Sequence, residues 1–242
     1  MSEVLRADTI GKAYGSRRIL TAATLRARAG EIVFLVGRNG AGKSTLLNIA
    51  AGALPADHGA VTFMGKCHLY PRWPVLARAG LFLWPDRDLL DPYATPRRHL
   101  ASLERQFGLG DCAKAADHCH VTSLLDMRCE TLSSGERRLV EAALVLARQP
   151  ACLLADEPFR HIAPLDRAVI ASALRRLALG GAAVVVTGHD VEDLFEVADS
   201  VVWCTDGTTW ELGTPTAAGA DWRFAQGYLG PSRAARLAVA AS

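Results

Sequence analysis

The sequence predicts an α/β fold built as a single unit, and three observations lead to this prediction. The first is a short apolar run, Ile32 to Val36, that ends at a glycine-rich loop and continues into an Ala/Leu-rich helix. The second is the recurrence of such runs, each followed by polar residues, at Cys152 to Ala155 and at Ala182 to Val186. The third is the length of 242 residues with 50% hydrophobic residues, which suffices for one large core. Short strands separated by helical segments indicate an open α/β sheet.

The first part of the chain has a different pattern. Apolar and polar residues alternate from residue 3 to residue 36, with turn signals at Gly15-Ser16 and at Gly30. This alternation predicts an antiparallel β portion that leads into the strand before the glycine loop. Tyr14 lies in one of these turns. The residues alone favour a core position for Tyr14, because aromatic side chains are more often packed than exposed.

Residues Gly37 to Thr45 match the pattern G-x-x-x-x-G-K-[ST] in the strand-to-helix context that a phosphate-binding loop requires. Its glycines let backbone N–H groups approach phosphate oxygens at a helix N-terminus. Lys43 supplies a positive charge for the β and γ phosphates, and Ser44 supplies a hydroxyl for Mg²⁺. The chain is therefore predicted to bind a nucleotide. The candidate loop residues are Gly37, Arg38, Asn39, Gly40, Ala41, Gly42, Lys43, Ser44 and Thr45.

Two more strands and a helical region follow the loop helix. Ala60 to Met64 and Gly80 to Trp84 are short apolar runs of strand type. Prolines and charged residues then interrupt the pattern, and a helical region that bears Arg and His extends from Arg97 to about Gln149. Apolar residues at i, i+3 and i+7 make its first helix amphipathic, with a face available for packing or for a partner. These residues are Leu100, Leu103 and Phe107.

Three groups of polar residues stand at element ends. Ser133 and Gly135 open an Ala/Leu-rich helix, where they either cap the helix or bind an anion, and both interpretations stay open. Asp156 and Glu157 follow the strand that ends at residue 155, which is where open α/β sheets hold their chemistry. His189 follows the strand near residue 186 of the same sheet. These side chains are candidates for catalysis and metal binding.

The composition of the chain argues against nucleic-acid binding and against a membrane-spanning helix. The net charge of +2 offers no strong field for nucleic acid, and the longest apolar runs are far shorter than the roughly 20 residues of a membrane helix. The start of the chain lacks a signal-peptide pattern, so we expect a cytoplasmic protein.

Six cysteines should then stay reduced. The Cys and His residues between Cys112 and Cys129 lack a C-x-x-C pair, and we interpret them as ordinary helix and loop residues.

Taken together, five features resemble the ATP-binding cassette (ABC) domain in order and approximate spacing. They are Tyr14, GRNGAGKST at 37–45, LSSGE at 132–136, CLLADEP at 152–158 and His189. The resemblance covers about residues 3–215 and implies an α/β fold with a P-loop NTPase (RecA-like) core, an antiparallel β portion and an inserted α-helical subdomain. It implies one domain over 1–242, with 1–86 and 150–215 as the ATP-binding core, 87–149 as the helical subdomain with the signature motif, and 216–242 as a C-terminal tail.

The resemblance also implies a role for each motif residue. Tyr14 would stack on adenine, Lys43 and the loop amides would hold the β and γ phosphates, and Ser44 would bind Mg²⁺. Asp156 would orient the ion, Glu157 would polarise the attacking water, and His189 would contact the γ-phosphate. Ser133 and Gly135 would act on ATP held by a partner cassette, because the family closes head to tail.

The implied partners follow from the same resemblance. The chain would be the ATP-hydrolysing subunit of an ABC transporter, forming a homodimer and powering solute movement through separate transmembrane permease subunits. It would reach the inner face of the cell membrane only through those subunits, and no nucleic acid is expected as a partner. Their coupling helices would dock near Asp86 to His99, where Arg97 and Arg98 are either contacts or a solvated helix face.

Two departures from the family pattern affect the predicted activity. Asp86 stands where the family has a glutamine; it could still bind Mg²⁺ but adds a negative charge. Ala163 stands where the family usually has an aspartate that meets the partner's phosphate loop, and Asp166 is three positions late. We therefore expect slower or less cooperative hydrolysis than is usual in the family. The alternative is a nucleotide-responsive regulatory module with impaired hydrolysis.

Overall fold

The computed structural model describes residues 2–108, 111–160, 162–188 and 197–230. Its strands are β1 (Glu3–Tyr14), β2 (Arg17–Arg28), β3 (Ile32–Val36), β4 (His58–Phe63), β5 (Lys66–His68), β6 (Leu81–Trp84), β7 (Cys152–Ala155), β8 (Ala183–Gly188), β9 (Ser200–Thr205) and β10 (Thr208–Gly213). Its main helices are α1 (Lys43–Ala50), α2 (Trp73–Arg78), α3 (Pro96–Phe107), α4 (Cys112–His118), α5 (Ser134–Arg148) and α6 (Pro164–Leu179). These strands form one sheet in the order β5, β4, β1, β2, β10, β9, β3, β8, β7, β6.

One half of the sheet is parallel and has β3 near its centre. β3 pairs in parallel with β8 and β9, β8 pairs with β7, and β7 pairs with β6. Every residue of β3 is buried, and its side chains alternate between two cores. Phe34 packs in the core that contains residues of α5 and α6, whereas Leu35 packs in the core that contains residues of α1. Since parallel strands end at the same edge, the segments after β3, β6, β7 and β8 lie side by side.

The other half is antiparallel, which confirms the expectation for the first part of the chain. β1 pairs with β2 and with β4, and β4 pairs with β5. Tyr14 is the last residue of β1, where it pairs with Arg17 across the hairpin, and it is 52% exposed. The core position that the residues alone favoured is therefore wrong, because residues 14–18 around the turn of the hairpin are all exposed.

The two halves meet where β2 and β10 run side by side. Their ladder pairing is confined to one position, Thr208 with Ala22. Side-chain hydrogen bonds extend it: the Thr24 N–H donates to Thr209 Oγ1 at 2.7 Å, and that hydroxyl donates to the Thr24 carbonyl at 2.6 Å. We call this line of contacts the seam. Apolar residues of β1 and β2 continue across it into the core beneath β3.

Helices α3, α4 and α5 lie between β6 and β7 in the chain. The helix expected from Arg97 begins at Pro96, because the Thr95 side chain accepts a hydrogen bond from the Arg98 N–H and proline is favourable in the first turn. Leu100 on its apolar face is buried. Within the described ranges, each helix is too short or too polar to cross a membrane.

The segment after β10, most of which was predicted only as a C-terminal tail, is helical in its described part. It contains the helical stretches Pro215–Ala220 and Trp222–Phe224 and the π-helix Ala225–Leu229. Phe224 is fully buried, with its ring 5.5 Å from the Trp203 ring and 5.3 Å from the Tyr228 ring. This aromatic cluster attaches the segment to β9.

Candidate nucleotide-binding site

The glycine loop between β3 and α1 has a shape that only glycine allows at several positions. Gly40 has φ of 82° and Gly42 has φ of 103°, both in the left-handed region. A Cβ atom at Gly42 would lie 2.6 Å from Leu20 Cδ2, and one at Gly37 would lie 2.3 Å from the Cys204 carbonyl oxygen. The loop is therefore fixed both by backbone conformation and by close packing on β2 and β9.

The ammonium group of Lys43 lies inside this loop. Its Nζ donates hydrogen bonds to the Gly37 carbonyl at 2.7 Å and to the Arg38 carbonyl at 3.3 Å, and the residue is 6% exposed. Beneath the loop, the Cys204 thiol donates to the Ala41 carbonyl at 3.1 Å. Burial raises the pKa of Cys204 to about 11, so that the group is a neutral thiol at neutral pH. The loop thus presents a positive charge without a competing thiolate.

Two carboxylates follow β7 on the same edge of the sheet. Asp156 is 5% exposed, and its Oδ1 accepts a hydrogen bond from Thr187 Oγ1 at 2.6 Å. The same hydroxyl accepts the Glu157 N–H at 2.9 Å, so Thr187 at the end of β8 holds both residues. Glu157 has φ of 51°, a left-handed conformation that costs about 1–3 kcal/mol for such a residue. A side chain held in a strained position at a sheet edge is typical of a functional group.

A buried ion pair supports these carboxylates, and sequence reasoning missed it. Arg138 of α5 donates to Glu141 Oε2 at 2.7 Å, and its second terminal nitrogen donates to the main-chain carbonyls of Asp156 and Glu157 at 3.3 and 3.1 Å. Trp84 Nε1 donates to the same Glu141 oxygen at 2.8 Å. Glu141 is fully buried. The helix that starts at the LSSGE motif is therefore connected directly to the main chain of the two catalytic candidates. The i, i+3 spacing of an arginine and a glutamate was the only signal in the sequence.

These groups surround a cavity of about 730 Å³. Basic residues outnumber acidic ones around it, which suits a phosphate-bearing ligand. Most of the predicted loop residues and Glu157 line it, whereas Asp156 lies behind it, bound to Thr187. His189 lies outside the described residues. The lining residues are Tyr14, Arg17, Ile19, Asn39, Gly40, Gly42, Lys43, Ser44, Thr45, Asp86, Glu157, Phe159, Arg160, Arg167, Thr187 and Gly188.

Asp86 also lines the cavity, but it has a partner that the sequence did not reveal. Its Oδ2 forms an ion pair with Nη1 of Arg160, which follows β7 four residues after Asp156. The Asp86 side chain is 35% exposed and the Arg160 side chain is 46% exposed. Asp86 was predicted as a metal ligand, and this role stays a prediction; its carboxylate is engaged by an arginine from the neighbouring strand end.

Comparison with known proteins identifies the family. The family model described as ABC transporter matches residues 20–160, more than half of the chain. The chain belongs to the ABC transporter family. It is 30% identical over 240 residues to the lipopolysaccharide export system ATP-binding protein LptB of Escherichia coli K12, with 93% of this chain and 97% of that protein covered. It is also 30% identical over 212 residues to the Nod factor export ATP-binding protein I of Rhizobium etli, with 85% of this chain and 66% of that protein covered.

Solved ABC cassettes have the same fold. A nucleotide-free cassette from an ABC transporter superposes with a TM-score of 0.80 at 21% identity, covering 98% of both chains. A cassette in its ADP conformation gives 0.82 at 22% identity, covering 96% of this chain and all of the other. The predicted α/β fold with a P-loop NTPase core is confirmed. With the family established, the prediction of an ATP-hydrolysing subunit of an ATP-driven transporter is confirmed as well.

The residues of the cassette fit Mg²⁺ as the accompanying ion. Mg²⁺ prefers hard oxygen ligands, keeps several waters and is usually bound through one or two carboxylates together with substrate phosphates. Ser44 and Asp86 offer oxygens to the cavity, and Asp156 accepts a hydrogen bond from Thr187, which lines it. Across residues 2–108, 111–160, 162–188 and 197–230 there is no group of 3 or more His, Cys, Asp or Glu that could enclose a metal. An ion held partly by phosphates matches this donor set.

The signature residues of the cassette serve their own helix. Ser133 is the N-cap of α5: the Glu136 N–H donates to Ser133 Oγ at 3.2 Å, and the Ser133 N–H donates to Glu136 Oε2 at 2.8 Å. These bonds hold the pKa of Glu136 below its ordinary value, the backbone contact from Ser133 being the largest cause. Neither Ser133 nor Gly135 is among the described residues that line the cavity. The capping interpretation is confirmed, and the action on a partner's ATP stays a prediction.

Replacing Ser133 with alanine is expected to destabilise the cassette by about 1 kcal/mol, because α5 loses its cap. A carboxylate with a lowered folded pKa stabilises above its unfolded pKa, and this contribution disappears as the pH falls through the folded value. The Ser133 N–H, which is the largest cause of the lowered pKa, remains in Ser133→Ala. Only the part of the difference that comes from the hydroxyl contact with Glu136 should therefore decline from neutral pH to below about pH 4, whereas the loss of the cap persists at both pH values. Urea unfolding at both pH values measures it. Ser134→Ala is the control, and an equal loss in that variant would contradict the assignment.

Proposed function

We propose that the cassette binds ATP with Mg²⁺ in the 730 Å³ cavity and hydrolyses it there. One observation supports this most: the ends of β3, β6, β7 and β8 bring Lys43, Asp86, Glu157 and Thr187 to a single cavity. A lysine inside a glycine loop binds the phosphates, and a strained glutamate faces the same space. The bound ion would be held by Ser44 and Asp156, with Asp86 at its edge, and would neutralise phosphate charge.

Different residues of the chain then have different roles in hydrolysis. The loop amides and Lys43 hold the β and γ phosphates, and Tyr14 stacks on the adenine ring. Glu157 accepts a proton from a water molecule while the water oxygen bonds to the γ-phosphorus and the bond to the β–γ bridging oxygen breaks, so that ADP leaves. Thr187 and Arg138 keep Glu157 in place through its main chain. His189 is proposed to contact the γ-phosphate.

The assembly that we propose contains two cassettes and membrane subunits. Two copies of this chain would close head to tail, with Ser133 and Gly135 of each copy over the ATP of the other. Transmembrane permease subunits would bind the helical region on the inner face of the cell membrane, and no nucleic acid would be involved. The relatives named above serve export systems, which favours export over import. We also keep the division into a core at 1–86 and 150–215, a helical subdomain at 87–149 and a tail at 216–242.

Steady-state ATP hydrolysis by the purified chain tests this proposal. We expect turnover with Mg²⁺, and at least a tenfold loss when a chelator removes the ion, because the phosphate charge is then unbalanced. Size-exclusion chromatography with a non-hydrolysable ATP analogue and Mg²⁺ should shift the protein from monomer to dimer. A chain that neither binds ATP nor dimerises under these conditions would overturn the proposal.

Replacing Ala163 with aspartate is expected to raise the hydrolysis rate several-fold. Ala163 is the exposed N-cap of α6 and makes no side-chain capping bond, and a Cβ atom at Gly135 of the same chain would lie 3.1 Å from Asp166 Oδ2. Asp166 thus lies against its own signature turn, which supports the idea that it does not replace the missing aspartate. A new aspartate also caps α6 and adds about 1 kcal/mol of stability.

Ala163→Ser separates these two effects. Serine caps the helix nearly as well as aspartate but brings no carboxylate to the partner's loop. We expect the serine variant to gain stability without gaining rate. An unchanged or lower rate in Ala163→Asp would refute the hypothesis of impaired hydrolysis.

A second candidate function is a nucleotide-responsive regulatory module. The Asp86 ion pair with Arg160 favours it, since a carboxylate engaged by an arginine is less available to a metal ion. In this case the chain would bind ATP and dimerise but turn over very slowly even with Ala163→Asp. The hydrolysis assay above distinguishes the two functions.

A further inference from the structure

The ion pair between Asp86 and Arg160 joins two neighbouring strand ends at the rim of the cavity. β6 and β7 pair in parallel up to Trp84 and Ala155, so the residues that follow them lie side by side. Both side chains line the cavity together with Lys43, Ser44 and Glu157. The contact therefore lies among the residues that we propose to bind the triphosphate and the ion.

The charges at this place explain why the two residues belong together. A lone carboxylate at the position of Asp86 would repel the phosphates of a nucleotide, since like charges a few ångströms apart at a protein surface repel each other. The guanidinium of Arg160 cancels that charge at hydrogen-bond distance. The pair as a whole therefore has no net charge.

We propose that Asp86 and Arg160 act as one neutral unit in nucleotide binding, and that Arg160 is a positioning residue that keeps the Asp86 carboxylate away from the terminal phosphate. This inference rests on the proposed nucleotide site. Loss of the arginine alone should then be more harmful than loss of both charges. A direct bond from Arg160 to the phosphate predicts instead that the double variant binds as weakly as Arg160→Gln, because removal of Asp86 would not replace that bond.

Equilibrium binding of a non-hydrolysable ATP analogue with Mg²⁺, measured by calorimetry, tests the inference without requiring turnover. Arg160→Gln should raise the Kd about tenfold or more, because the charge of Asp86 becomes uncompensated. Asp86→Asn alone should change the Kd by less than about threefold, because Arg160 already neutralises that carboxylate. In the Arg160→Gln background the same substitution should restore the Kd to within about threefold of wild type, and this difference between the two backgrounds measures the coupling. Arg160→Lys keeps the charge and should bind like wild type.

Arg97→Gln provides the matched control. Arg97 forms an exposed ion pair with Asp126, in which Nε donates to Oδ1 at 2.7 Å, and neither residue lines the cavity described above. Its loss should leave the Kd unchanged. Thermal unfolding of each variant shows whether it is folded. If Arg160→Gln is not folded, the Kd values of Arg160→Lys and Asp86→Asn provide the test.

The possible results separate the inference from the proposed function. If wild type fails to bind the analogue, the nucleotide site itself is refuted and the inference with it. If wild type binds and Arg160→Gln binds equally well, only the inference is overturned. A double variant as weak as Arg160→Gln would overturn it too, since Arg160 would then act on the phosphate directly.

Discussion

Glu157→Gln is expected to lower ATP turnover by about 100-fold or more while leaving ATP binding nearly unchanged. A general base in this position contributes about 10²–10⁴ in rate, and an amide cannot accept the proton. Binding should persist because the loop amides and Lys43, which hold the phosphates, are untouched. Steady-state hydrolysis and calorimetric titration with ATP and Mg²⁺ measure the two quantities separately.

The same variant should accumulate as an ATP-bound dimer on size-exclusion chromatography, because the step that reopens the dimer is blocked. Glu104→Gln, at an exposed position of α3, is the control and should hydrolyse ATP at the wild-type rate. Normal turnover in Glu157→Gln would remove Glu157 from the reaction. A parallel loss of binding would instead assign it to nucleotide affinity.

Glu141→Ala is expected to lower the free energy of unfolding by about 3–5 kcal/mol. Glu141 is fully buried and accepts hydrogen bonds from Arg138 and Trp84 Nε1 and from the Leu89 N–H. Alanine would leave the guanidinium of Arg138 buried without its counter-ion and the indole N–H without an acceptor. Urea unfolding followed by circular dichroism measures the change.

Glu130→Ala makes the same chemical change at the surface and is the control for Glu141→Ala. Glu130 pairs with Arg128 at 3.4 Å, and both side chains are well exposed, so the loss should stay below about 1 kcal/mol. Similar losses in the two variants would show that burial of the Arg138–Glu141 pair is not what matters. Because Arg138 also donates to the Asp156 and Glu157 carbonyls, we expect Glu141→Ala to reduce turnover in the part of the population that remains folded.

The sheet and the phosphate loop could be predicted because their signals are local. β3 and β7 are continuous apolar runs with clear ends, and the spacing of the loop glycines and Lys43 is a local pattern. The neighbours that exclude a Cβ atom at Gly42 and Gly37 lie on β2 and β9 and could not be read from that pattern. The antiparallel β1 and β2 follow in the same way from alternation and turn residues. The periodicity of apolar side chains and the residue preferences of turns involve residues that are close together in the chain, so they can be recognised in a single sequence.

The supporting contacts could not be predicted because they join residues far apart in the chain. Arg138 is separated from Glu157 by the rest of α5 and by β7, and Arg160 meets Asp86 because β6 and β7 are neighbours in the sheet. The sequence around a single charged residue does not indicate which residue it pairs with. Such a residue is usually interpreted as part of a solvated surface. Phe224 was missed for a similar reason, since its packing on Trp203 depends on where β9 lies.

The seam between β2 and β10 has a mechanical consequence. Tyr14 belongs to one side of it and Lys43 to the other. Main-chain contact across it is short: Thr208 pairs with Ala22, and the Gly207 carbonyl accepts the N–H groups of Thr21 and Ala22. The stiffness of this junction therefore comes mainly from close-packed apolar side chains and from the hydroxyl of Thr209, not from a continuous ladder. The distance between the aromatic ring and the ammonium group is accordingly set by the volume of the side chains beneath the sheet. A cavity opened there by a large-to-small change would loosen the two groups relative to each other without touching either.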